Sequence, residues 1–264
     1  MMATLVTVVL VLAVVGGRYY VRIARRIAAE GGKVNSAPYA LPEAIFAVAL
    51  GGFLTYLAYR GFTSAAVAVT SGRLVQSAQF FGFIVTGIVV LLKIRQHSLT
   101  ELFGLWRLPL LQLPGRALLL LLAAFPMVAA LNLLMQQLMH DREDLQEIVK
   151  FFLQANERHD YAAVVTTVVL AGVVAPVFEE FIFRGFFYGV ARRYFGIVPA
   201  MIAVSVLFGA VHANLAAWPG LTLLSICFCL AYEKTGSLFT SMIMHALFNL
   251  TSLVLMMLSL RAMP

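Results

Sequence analysis

Charge is what this chain has least of: Asp, Glu, Lys and Arg make up only 12% of its 264 residues, against 62% hydrophobic. A water-soluble domain carries about a quarter charged residues, so a soluble globular fold is excluded and an all-α, polytopic membrane protein is expected. Cysteine is nearly absent as well, with Cys227 and Cys229 the only two. Two positions apart on a helix they diverge by about 200°, which argues against a disulfide framework or a cysteine metal site and leaves them as packing residues. Acidic residues number 12 against 19 basic ones. The basic excess lies in short loops between apolar runs rather than on a polar face, so it reads as a topology signal with some attraction to anionic lipid, and no nucleic-acid partner is expected. Internal repeats and low-complexity tracts are missing too.

What is abundant is apolar sequence in runs of membrane-spanning length. Eight segments come close to the roughly 20 helical residues that a bilayer requires: 3–21, 41–60, 77–93, 117–138, 161–183, 196–213, 219–232 and 237–258. The first is followed by Arg18, Arg22, Arg25 and Arg26 with nothing basic before it, the wrong order for a cleavable signal, so it is expected to stay as a helix. Basic loops face the cytoplasm. The N-terminus is then outside, the loops at Lys93, Arg95 and Arg107, at Arg192 and Arg193, and at Lys234 are inside, and the acidic stretch Asp141 to Asp160 is outside. Within that stretch Leu145, Ile148, Val149 and Phe152 recur at helical spacing, which predicts an amphipathic helix on the outer surface. The stretch divides the chain into 1–160, poor in buried polar residues, and 161–259, where polar islands appear. Short loops and the lack of an appended domain point to a prokaryotic inner-membrane protein.

Three polar islands interrupt apolar sequence where an idle carboxylate would cost several kcal/mol: Glu179-Glu180-Phe181-Ile182-Phe183-Arg184, Phe208 to His212, and His245 to Asn249. Arg184 is four residues past Glu180 and five past Glu179, so a regular helix pairs it with Glu180 and turns Glu179 elsewhere. A purely architectural ion pair would account for Glu180 but not for Glu179, and a carboxylate free of a cation is a candidate general base. His245 and Asn249, four apart, offer an imidazole and a carboxamide from one helix face, donors suited to an oxyanion or equally to an interhelical hydrogen bond. Phe208 is placed to pack beside His212. Counting residue rise from the basic loops puts the islands at comparable depth.

These islands, in this order, resemble the E-E-x-x-x-R, F-x-x-x-H and H-x-x-x-N motifs of the CPBP intramembrane proteases, also called the ABI family, which includes CAAX prenyl endopeptidases and bacteriocin-processing proteins. The resemblance covers about 161 to 258. It implies peptide-bond hydrolysis in the membrane, with Glu179 and His212 activating a water, and His245 and Asn249 holding the oxyanion. Glu180, Arg184 and Phe208 support the site. The substrate it implies is a membrane-associated peptide or a prenylated protein. A metal-free mechanism is expected; the alternative is a zinc centre ligated by Glu179, His212 and His245, a set with an open water position, although no HExxH helix presets two of the ligands. Two other classes use buried charge: an inactive immunity or scaffold protein, and a proton- or ion-coupled transporter. A transporter should show matched halves with broken segments, and none are evident.

Overall fold

A computed structural model describes residues 2–64, 68–139 and 147–261. These form helices joined by turns and short links, with no strand among the described residues. The principal helices are α1 (Met2–Glu30), α2 (Leu41–Thr63), α3 (Ser71–Ile94), α4 (Leu113–Leu138), α5 (Glu147–Glu157), α6 (Tyr161–Phe195), α7 (Ile197–Ala210), α8 (Trp218–Thr235) and α9 (Leu238–Arg261). Six of them, α1 to α4, α6 and α9, are long and apolar enough to cross a membrane. All eight predicted spans are found as helices, and α7 and α8 are the two that fall short by length or hydropathy.

Local chemistry sets the helix ends. Asp160 Oδ1 accepts from the Ala163 amide to open α6, and Thr70 Oγ1 accepts from Arg73 to open α3, in each case satisfying an amide that the first turn leaves unpaired. Gly196, at φ +80°, breaks the chain between α6 and α7, and Gly236, at φ +71°, closes α8. These left-handed conformations suit a residue without a Cβ. The Gly236 turn is also crowded by the Arg107 side chain, so a larger residue there would be strained twice over.

Helix α4 is the central strut, packing against α1, α8 and α9, while α7 pairs with α8. The core between them is apolar and aromatic, including Tyr20, Leu120, Phe183, Phe208 and Phe228. Outward faces carry exposed Val48, Phe83, Leu119 and Val165, the reverse of a soluble protein and the expected dressing for contact with lipid tails.

Two differences from the sequence reading bear on the site. The sixth predicted span, 196–213, is helical only over Ile197–Ala210, about 21 Å of rise, which is shorter than a hydrocarbon core about 30 Å thick. Ala213 adopts φ +50°, and Asn214 Oδ1 turns back to accept from Ala217 and start α8. His212 therefore lies on a connecting turn. The fifth span is not a regular helix either: α6 is widened into π-turns at Leu170–Val174 and Phe181–Tyr188. The amphipathic segment is present as α5, with Val149 and Phe152 buried, whereas Leu145 lies outside the described residues.

The topology read from the loops is checked by labelling. Cys227 and Cys229 are buried and should be silent, so single cysteines at the exposed positions Arg158 and Arg193 report cleanly. Arg158→Cys should react with an impermeant thiol reagent applied from outside and Arg193→Cys should not; the reverse pattern would overturn the orientation.

Candidate active site

Helix α6 brings two carboxylates and a guanidinium to one place. Glu180 and Arg184 are both fully buried, and Arg184 Nη1 lies 2.9 Å from Glu180 Oε1. This is the i,i+4 pair that the spacing predicts, and it persists although the backbone widens immediately after Glu180. The approach is close but poorly angled for a hydrogen bond, and the remaining Arg184 nitrogens have no hydrogen-bond partner among the described residues. Two rings take up part of that role: the guanidinium carbon sits 4.3 Å from the centroid of Phe208 and 5.0 Å from that of Phe228. A desolvated cation held between aromatic faces gains about 2 kcal/mol or more from such contacts.

His245 reaches in from α9. Its Nδ1 is 3.0 Å from Glu180 Oε1, and its Nε2 is 3.9 Å from Glu179 Oε2. A carboxylate at hydrogen-bond distance fixes Nδ1 as the donor nitrogen, so Glu180 holds the ring while Nε2 faces Glu179 across a gap too long for a direct hydrogen bond. Phe228 stacks on the imidazole at 4.9 Å and Phe208 meets it edge-on at 5.8 Å. Glu179 differs from its neighbour in burial: its side chain keeps 14% exposure against none for Glu180. One carboxylate is thus sealed into an ion pair and the other opens onto accessible space.

His212 contacts Phe208 ring to ring at 4.9 Å, and its Nδ1–H donates to the Phe208 carbonyl at 2.8 Å. That bond leaves Nε2 as the free, accepting nitrogen of the neutral ring. No hydrogen bond or ion pair joins His212 to either glutamate among the described residues. Asn249, one turn beyond His245, donates from Nδ2 to the Ala171 carbonyl at 2.8 Å. The reason lies in α6. Across the first π-turn the Ala175 amide bonds to Leu170, five residues back, and the next residue in that register, Pro176, has no N–H to give to Ala171. The carboxamide of Asn249 supplies the donor that proline lacks, stitching α9 to α6 about two turns before the glutamates.

The structure therefore gathers Glu179, Glu180, Arg184, Phe208 and His245 into one cluster of charges and rings, to which His212 is joined through its contacts with Phe208, while Asn249 is fastened to the Ala171 carbonyl. Three participants were not foreseen: Phe228, which sits in a featureless apolar run; Ala171, which enters only through its carbonyl; and the bond from Glu180 to His245. Among the described residues no group of three His, Cys, Asp or Glu side chains converges, while the Nδ1 bonds of His212 and His245 leave Nε2 as the nitrogen that either ring would offer to a metal.

Neither a curated protein nor a solved structure gives a match to the chain. Residues 161–251, the stretch that carries all three motifs, match the family model described as type II CAAX prenyl endopeptidase Rce1-like.

Proposed function

We propose that the protein is an intramembrane endopeptidase that hydrolyses a peptide bond in a membrane-associated or lipidated peptide, with Glu179 as the general base. The observation that carries this reading is the unequal pair: Glu180 is neutralised by Arg184 and His245, while Glu179, without a cation closer than the 3.9 Å to His245, faces accessible space. Glu179 takes a proton from a water, helped by the free Nε2 of His212. The hydroxide adds to the scissile carbonyl, and the proton held by Glu179 passes to the departing amine as the C–N bond breaks. His245, gripped by Glu180 through Nδ1, turns Nε2 toward the developing oxyanion, and the second N–H of Asn249 is a further donor. Glu180 is in this scheme a positioning residue acting through His245. The family's name supplies the substrate class to try first, a peptide ending in a prenylated cysteine followed by three residues.

The reaction is tested by incubating the purified chain in detergent with prenylated and unprenylated peptides and reading products by mass spectrometry. Cleavage that requires intact Glu179 is the expected result, and a preparation that cuts no peptide of either class would overturn it. Chelator-washed protein should keep its activity without bound metal; stoichiometric zinc whose removal abolishes cleavage and whose return restores it would instead make Glu179 a ligand.

A further inference from the structure

At the basic end of the bundle, remote in sequence from the glutamate motif, α1, α4 and α8 line a half-open cleft of about 690 Å³. Its α1 wall is a single stripe, Tyr19, Arg22, Ile23, Arg26, Ile27 and Glu30, which are the positions that one helix face presents. From the other walls come Arg116 at the start of α4, Lys33 on the link after α1, and Lys234 at the end of α8. Five cations therefore face two carboxylates. One of these, Glu233, is fully buried and already satisfied by Arg192 Nε at 2.6 Å, by the Tyr188 hydroxyl at 2.6 Å and by the Val34 amide at 3.3 Å. The other, Glu30, meets Arg26 in an exposed pair at 3.4 Å, a contact that contributes little in water. Arg22 and Lys33 have no acidic partner among the described residues, and Arg116 contacts only the neutral Gln112.

Such an excess of cations over a concave surface is self-repelling unless an anion is shared between them. The lower wall is apolar, with Ile23, Ile27 and Leu120 buried and Leu119 exposed toward the lipid-facing side. A ligand there has an anionic head and tolerates an apolar body.

We infer that this cleft binds a phosphate-bearing ligand, its phosphate held between Arg22 and Arg116 with Lys33 and Lys234 at the rim. Guanidinium groups match phosphate oxygens in bidentate geometry, and basic pockets between helices at a membrane surface are suited to lipid headgroups. The volume lies within the range of small-ligand sites. The ligand is either an anionic phospholipid headgroup or a soluble phosphate ester, and the chemistry is shared.

Native mass spectrometry of the full chain in detergent tests this, with phosphatidylglycerol, phosphatidylcholine and glycerol 3-phosphate as probes. Phosphatidylglycerol should bind more tightly than the zwitterionic lipid, and removing two charges with Arg22→Gln and Arg116→Gln should weaken it about tenfold or more. Both side chains are exposed, so the fold should survive. Arg18→Gln with Arg25→Gln removes the same charge from α1 outside the cleft and should change nothing. Competition by glycerol 3-phosphate at comparable concentration identifies a soluble ester as the ligand; lipid binding without that competition identifies the headgroup. Equal loss in the two double variants, or no binding of either phosphate probe, overturns the site.

Discussion

Glu179→Gln should abolish peptide cleavage, lowering the rate by about 10² to 10⁴ as expected for removal of a general base, with no loss of folded protein. The amide keeps the shape of the side chain, and the position is partly accessible and free of a short ion pair, so little of the fold depends on its charge. The informative comparison is Glu180→Gln. That change weakens the hold on both Arg184 and His245 and should lower the melting temperature as well as the activity. A Glu179→Gln enzyme within a fewfold of the wild type would overturn the assignment of the base, and an inactive but fully stable Glu180→Gln enzyme would transfer the role to its neighbour.

Arg184→Ala should cost about 3 to 5 kcal/mol of stability, the range for removing one partner of a buried ion pair. The loss has two sources. Glu180 would keep only His245 as partner, with its other oxygen already without a hydrogen bond, and the space between the Phe208 and Phe228 rings would be left open. Thermal unfolding in detergent measures the sum. Removing the charge problem from both sides, with Glu180→Gln and Arg184→Met together, should recover part of the loss because an apolar side chain still fills the aromatic slot. An unchanged melting temperature for Arg184→Ala would show that the pair does not hold α6 in place.

The Glu180–Arg184 pair was legible because both ends lie on one helix, where a spacing of four residues translates directly into proximity. The packing of Phe208 beside His212 was legible for the same reason. The cluster as a whole was anticipated only as a coincidence of depth, since rise per residue gives height in the bundle but no azimuth. Which histidine approaches which glutamate depends on how α9 and the turn after α7 are set against α6, and here His245 lies beside the carboxylates while His212 is bonded to the backbone of its own helix end. The tie from Asn249 to Ala171 could not be read because it answers a local widening of α6 five residues before Pro176. A proline predicts that some carbonyl loses its donor; it does not say which, or who replaces it.

The amino-acid sequence by itself determined the membrane class, the helical segments and the three polar islands, because hydropathy and residue spacing are local properties that lipid and the α-helix translate without reference to the rest of the chain. Tertiary structure decided everything that depends on relative placement: the end of α7 within the bilayer-length run, the two π-turns in α6, the sealing of Glu180 against the partial exposure of Glu179, the aromatic slot completed by Phe228, and the basic cleft assembled from α1, α4 and α8. Each of these arises where side chains far apart in sequence compete for the same space or the same hydrogen bond, and that competition is settled only when the helices pack.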